Sequence, residues 1–202
     1  MYGLPPSTEI NRPLYKKALF EKFNLKATER DRFDADVSRM AIAAYLSPAK
    51  IPALRPGQEV KDLYVLQVQL KQREYDKKNI LLLQKLIPQK IVFALEFDEE
   101  VQFCIFHTRL HQSEWKHVSE ANITLKGLTF DDVWNNFVAE IGGLDNTAEE
   151  TLEQQIINRE EREKLLKQIE TLEKRCRLEK QTRKKYELHQ QLLKLKEELK
   201  YG

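Results

Sequence analysis

The sequence predicts an α/β or α+β globular domain with a small mixed sheet, followed by a long C-terminal helix of coiled-coil character. Three observations predict it. Alternating apolar residues mark strands in "VKDLYVLQVQL" and "VQFCIFHTRL", and the run "KIVFALEF" between them is apolar enough for a sheet interior. A helix-period stretch separates the first strand from the second, the order of a strand, helix, strand unit. From Asp145 onward proline disappears, no glycine occurs before Gly202, and Glu, Lys, Arg, Leu and Gln dominate. The expected division is a globular domain over residues 1–144 and a charged helical extension over 145–202.

Taken in order, the first dozen residues carry Pro5, Pro6 and Pro13 and read as an extended arm. "LYKKALFEKF" sets Leu14, Ala18 and Phe23 near one face, a short amphipathic helix. "TERDRF" offers Thr28 as the cap of another. Val37 to Leu46 fits two patterns, because Met40, Ile42 and Ala44 alternate like a strand while the alanines suit a helix. "SPAKIPALRPG" is a loop, since its three prolines remove backbone donors. Strand 60–70 sets Leu66, Val68 and Leu70 against Val65, Gln67 and Gln69. In "YDKKNILLLQKLIP", Ile80, Leu83 and Ile87 share a helical face and Pro88 ends it. After "KIVFALEF", "DEE" turns the chain into the third strand. "TFDDVWNNFVAEI" closes the domain as a helix with Phe130, Val133, Trp134, Phe137 and Ile141 inward, stopped by Gly142 and Gly143.

In the extension, Leu165, Ile169, Leu172 and Cys176 follow the 4-3-4 spacing of a heptad seam, and Leu188, Leu192, Leu195 and Leu199 follow it again. Sixteen residues separate Leu172 from Leu188, two more than two heptads, so the seams are out of register. Either the helix meets different partners with its two halves, or it bends or folds back near the basic stretch. With no Gly or Pro to turn the chain, one continuous helix of roughly 75 Å at 1.5 Å per residue is favoured, its seam covered by a second copy, another protein or the globular domain. Between the seams, Lys174 to Lys185 holds seven basic residues against Glu179, a net +6. On a continuous helix Arg177, Lys180 and Lys184 share one side. With Arg183 they form the expected contact to an anionic partner or to nucleic-acid phosphate, weighed against a solvated face paired with glutamates. Asp145 to Glu163 carries seven acids and two bases, a local −5 that would repel a nucleic-acid backbone.

Composition narrows the function classes. Charged residues are 33% of the 202, against about 25% in average proteins, yet the net charge is only +2. Mixed charge of this kind suits solvated helices rather than a protein basic throughout. The two cysteines, Cys104 and Cys176, form no CxxC and point to a reducing compartment. The N-terminus lacks a signal-peptide core and no run approaches the roughly 18 apolar residues of a bilayer span, so a soluble cytoplasmic protein is expected.

Chemical motifs are sparse. There is no Walker loop, no GxGxxG and no GxSxG. His107 and His111 have a zinc-like spacing on a helix, but at a strand end and in a loop they read as a polar surface pair. Trp115 and Trp134 read as core. One enzymatic pattern survives. Restriction-type nucleases set an acid, then acid-x-Lys, on a strand leading into a helix, and the carboxylates hold Mg²⁺ to activate water. Asp62, Gln69 and Lys71 approximate it, with a neutral amide where the second acid belongs. Mg²⁺ is the cofactor of that alternative alone, and otherwise none is expected.

The end of the chain resembles a bacterial family of uncharacterised proteins, the domain-of-unknown-function 4391 family. Its members close on Glu-Lys-Gln, a basic pair and a Glu-Leu step into a leucine repeat. Glu179, Lys180, Gln181, Lys184, Glu187 and Leu188 match, with Thr182 and His189 in place of a usual aromatic and asparagine. "GLPPSTEINRPLYKK", "YLSPAKIPA", "LYVLQVQLK" and "LIPQKIVFALEF" extend the similarity over most of the chain. Genes of this family often neighbour helicases and adenine-specific methyltransferases of type III restriction-like systems. The resemblance therefore implies an accessory subunit in phage defence, partnered by itself, a defence helicase or a methyltransferase, with direct nucleic-acid binding or nuclease activity as the alternative.

Overall fold

The strand periodicities become one mixed sheet. In the computed structural model, which describes residues 1–144 and 152–201, the strands are β1 (Glu9–Leu14), β2 (Val37–Leu46), β3 (Leu63–Leu70), β4 (Ile91–Phe97), β5 (Glu100–His107), β6 (Arg109–Gln112) and β7 (Lys116–His117). They lie in the order β1-β2-β3-β4-β5-β6, with β7 also on β5. Among the described strands only the β3–β4 pair is parallel, because α3 (Lys77–Leu86) carries the chain back between them. β4 is buried on both faces, as its unbroken apolar run requires. A tight turn joins it to β5, with Asp98 in the left-handed region at φ 55°.

α1 (Lys16–Lys22), α2 (Ala27–Asp36) and α3 cover one face. Leu19, Phe20, Phe33, Ile80 and Leu83 pack there on Met40, Leu66, Val68, Leu70, Phe93 and Leu95. α4 (Phe130–Gly142) lies on the other face against β5 and β6. Phe130, Val133, Trp134, Phe137 and Ile141 are all buried, and Gly143 at φ 61° supplies the left-handed cap that ends the helix.

Several expectations are corrected. The proline-containing arm is partly a strand, because β1 pairs with β2 along an edge where the absent N–H of Pro13 is tolerated. The helix of "TERDRF" begins at Ala27, so Thr28 lies inside it, and Glu29 accepts the Lys26 N–H at 3.1 Å instead. Of the two patterns open for Val37–Leu46 the strand is the one formed, since its neighbours on both sides satisfy its backbone. His111 stands on β6 rather than in a loop and is only 4% exposed.

The start of α4 is tied to the 47–62 loop. Asp131 accepts the backbone N–H of Val60 at 2.7 Å and those of Gln58 and Glu59. Burial works to raise its carboxyl, and these backbone donors outweigh it, holding the group below the usual carboxylate range. A depressed carboxylate stabilises the fold near neutrality and loses that contribution as pH falls through its folded value. Asp131→Ala is expected to cost about 1–2 kcal/mol near pH 7, the scale of a lost cap. Near pH 2, well under the reference Asp value of about 3.9, the difference should shrink towards zero in paired thermal melts.

The extension is two helices, α5 (Leu152–Leu178) and α6 (Thr182–Tyr201), packed together. The continuous helix is thus replaced by a hairpin with a three-residue connection, Glu179–Gln181. No Gly or Pro is needed because Glu179 makes the turn itself, its carboxylate accepting the Gln181 N–H at 2.8 Å. The globular part and the extension form separate compact units, Met1–Asn146 and Thr147–Gly202. No described helix is long and apolar enough to cross a membrane.

Candidate interaction surface

The register break between the two leucine stripes has a direct structural reading. Folding α6 back on α5 turns the second stripe towards the first. Ile169, Cys176 and Leu192 are buried, and Leu165, Leu172, Leu188, Leu195 and Leu199 are half-buried. Lys196 crosses to Glu173 at 2.7 Å, and Cys176 Sγ approaches the Lys185 carbonyl at 3.8 Å. The partner helix of the seam is in the same chain, so its burial requires no second copy.

The same fold-back changes the basic stretch. Arg177, Lys180 and Lys184 do not share a helix face. Arg177 lies in the last turn of α5, Lys180 in the connection, and Arg183 and Lys184 in the first turn of α6. The net +6 is gathered at the tip of a hairpin, where every residue from Lys180 to Glu187 is exposed. Lys174 pairs with Glu170 at 2.7 Å and Arg183 with Glu187 at 3.4 Å. Arg175, Lys180, Lys184 and Lys185 form no salt bridge among the described residues. Sequence reasoning missed the apolar company of these charges. Leu178 is 80% exposed and Tyr186 64%, and their isolation from either stripe was the available signal.

The helix dipoles act oppositely on the two halves of this basic cluster. Arg175 and Arg177 sit at the negative end of the α5 dipole and stabilise it. Arg183, Lys184 and Lys185 sit at the positive end of α6, and no acid lies in its first turn. Charges there oppose the dipole, each by a few tenths of a kcal/mol. A purely solvated helix pair gains nothing from this arrangement.

The nuclease pattern is dispersed. Asp62 precedes β3 and accepts the Tyr45 hydroxyl at 3.0 Å; burial, together with this bond, pushes that phenol up to about 12. Gln69 and Lys71 lie at the far end of β3, roughly 25 Å away at 3.3 Å per residue. Lys71 Nζ donates to the Asp34 carbonyl, and Gln69 Nε2 to the Glu96 carbonyl at 3.2 Å. The acid beside Gln69 is Glu96 on β4, directly across the parallel ladder. It is 9% exposed and accepts from Gln67 Nε2 at 2.7 Å and from the Tyr2 hydroxyl. The signal for Glu96 was a lone acid inside an otherwise apolar strand. Burial and this hydrogen bond raise the Tyr2 phenol far above its ordinary value, so it remains a donor.

On the α4 face, Trp134 Nε1 approaches His107 Nδ1 at 3.4 Å, and His111 lies against Gly142. No three His, Cys, Asp or Glu side chains among the described residues are placed to share a metal ion. Compared with known proteins, residues 2–199 match a family described as "Domain of unknown function (DUF4391)". No curated protein matches the chain, and no solved structure does.

Proposed function

The chain belongs to the DUF4391 family, whose function is unknown, and from that premise we propose that it is a non-enzymatic accessory subunit of a bacterial phage-defence assembly that docks through its basic hairpin tip. The observation that carries this reading is the tip itself: exposed cations held at the unfavourable end of α6, with Leu178 and Tyr186 beside them. Flexible cations can meet phosphate or carboxylate without sequence specificity, while the exposed Leu and Tyr add contact area. A defence helicase or methyltransferase, alone or with its nucleic acid, is the partner proposed, and a second copy is the remaining form of assembly. No cofactor is invoked.

The test replaces Arg177, Lys180, Arg183 and Lys184 with glutamine, which preserves helix propensity and removes charge. Binding to duplex DNA, to single strands and to the protein co-purifying from the native operon is measured across salt. Four phosphate contacts would give wild type a log–log salt slope of roughly −3 to −4 on duplex, falling close to zero in the variant. Loss confined to the co-purifying protein assigns the tip to a protein surface. Unchanged binding to all three would leave the charges as solvation only and overturn the proposal.

A further inference from the structure

The globular unit carries a separate feature. A groove of about 570 Å³ opens over β1, β2 and β3 towards the carboxyl end of β3. That volume is within the range of small-molecule sites, and carboxyl strand ends are where open α/β sheets bind ligands. Pro13, Tyr15, Arg39, Ala41, Gln67 and Gln69 are among the residues that line it.

The hydrogen bonding beneath the groove fixes what it displays. The Glu96 carboxylate and carbonyl can only accept, so Gln67 and Gln69 must turn their Nε2 atoms towards them, at 2.7 and 3.2 Å. Each amide then presents its Oε1 as an acceptor, and neither Oε1 receives a hydrogen bond among the described residues. Tyr2 donates to the other Glu96 oxygen, so both carboxylate oxygens are engaged. Arg39 stands opposite Gln69 on the neighbouring strand. Its guanidinium has no carboxylate or carbonyl partner among the described residues, although the same groove wall offers Lys16 an ion pair with Asp34. Tyr15, 72% exposed, places a ring at the rim.

Two oriented acceptors, an unpaired guanidinium and an exposed ring within one groove match a single ligand chemistry. We infer that this groove binds a nucleotide whose base carries an exocyclic amine, the amine donating to Gln67 and Gln69, the phosphate meeting Arg39 and the base lying on Tyr15. The ligand is either a free mononucleotide or the phosphorylated end of a strand, since both present these groups. The inference does not depend on the hairpin tip.

The test titrates the full chain with AMP, adenosine, ribose 5-phosphate, UMP and a short 5′-phosphorylated oligoadenylate, followed by calorimetry and by amide chemical shifts. AMP is expected to bind about tenfold or more tightly than ribose 5-phosphate or UMP. Arg39→Gln should remove most of the preference of AMP over adenosine, and Gln69→Leu most of that over UMP. Arg12→Gln, an exposed change on the same sheet edge outside the groove, should leave binding unchanged. Tighter oligoadenylate than AMP assigns the site to a strand end, and the reverse assigns it to the free nucleotide. No AMP binding at low millimolar concentration overturns the inference. So does AMP binding that survives both Arg39→Gln and Gln69→Leu, or that fails to discriminate against UMP.

Discussion

Spin labels at positions 162 and 198 should report a separation of about 20 Å or less. Arg162 and Glu198 line the same crevice between α5 and α6, and packed helix axes lie about 8–10 Å apart. On a continuous helix the two positions, 36 residues apart, would be separated by about 54 Å at 1.5 Å per residue. The experiment needs Arg162→Cys and Glu198→Cys in a Cys176→Ala background. Cys104 can remain, because it is fully buried and burial pushes its thiol up to about 11, far from the thiolate that labels. A distance near the longer value, in a monomer, would abolish the hairpin and with it the gathered tip. A short distance that appears only in dimers would show that the second stripe is donated by another copy. Glu179→Ala provides a finer probe, since it removes the acceptor of the Gln181 N–H and should broaden the distance distribution.

The parts of the fold that were legible in sequence are those whose own side chains declare their period. β3 alternates, β4 is apolar throughout and interior, and α4 repeats its aromatic residues every three or four positions. β1 was illegible because an edge strand with Pro13 and Arg12 carries little pattern, and its pairing is supplied by β2. β6 is four residues long, too short for a period, so His111 looked exposed when it is buried against α4. The hairpin was half legible. The two stripes and their slipped register were visible, but breakers were sought only among Gly and Pro, and here a glutamate side chain makes the turn. The basic composition of the tip was likewise plain, whereas the grouping of its charges depended on a turn that periodicity could not place. The nuclease pattern failed for the opposite reason. Asp62, Gln69 and Lys71 are close in sequence, yet a strand keeps its two ends far apart, and the carboxylate next to Gln69 comes from β4.

The largest loss of stability from a single polar change is expected at Asp36. It ends α2 and is 6% exposed. Its Oδ2 accepts the Asp76 N–H at 2.8 Å and Asn79 Nδ2 at 2.8 Å, and its Oδ1 accepts Gln72 Nε2 at 3.2 Å. Its carbonyl takes the Lys71 N–H at 2.8 Å. One residue therefore joins the end of α2 to the turn between β3 and α3. Asp76 is also the cap of α3, so the start of that helix hangs on the same group. Asp36→Ala leaves these donors without their acceptor around Asn79, which is 1% exposed. Hydrogen bonds to a charged group contribute roughly 1.5–3 kcal/mol each, and stranding a buried donor costs a similar amount. The expected loss is about 3–5 kcal/mol, or a fall in Tm of roughly 6–20 °C at about 2–4 °C per kcal/mol for a chain of this size. Asp36→Asn keeps one acceptor oxygen and should lose about half as much. Urea unfolding followed by tryptophan fluorescence is the measurement, because Trp115 and Trp134 both lie in the Met1–Asn146 unit and report on it alone. The midpoint should fall while the slope stays constant. A loss under 1 kcal/mol for Asp36→Ala would mean that water takes the place of the carboxylate and that the α2–α3 junction is held by the packing of Phe33, Ile80 and Leu83 instead.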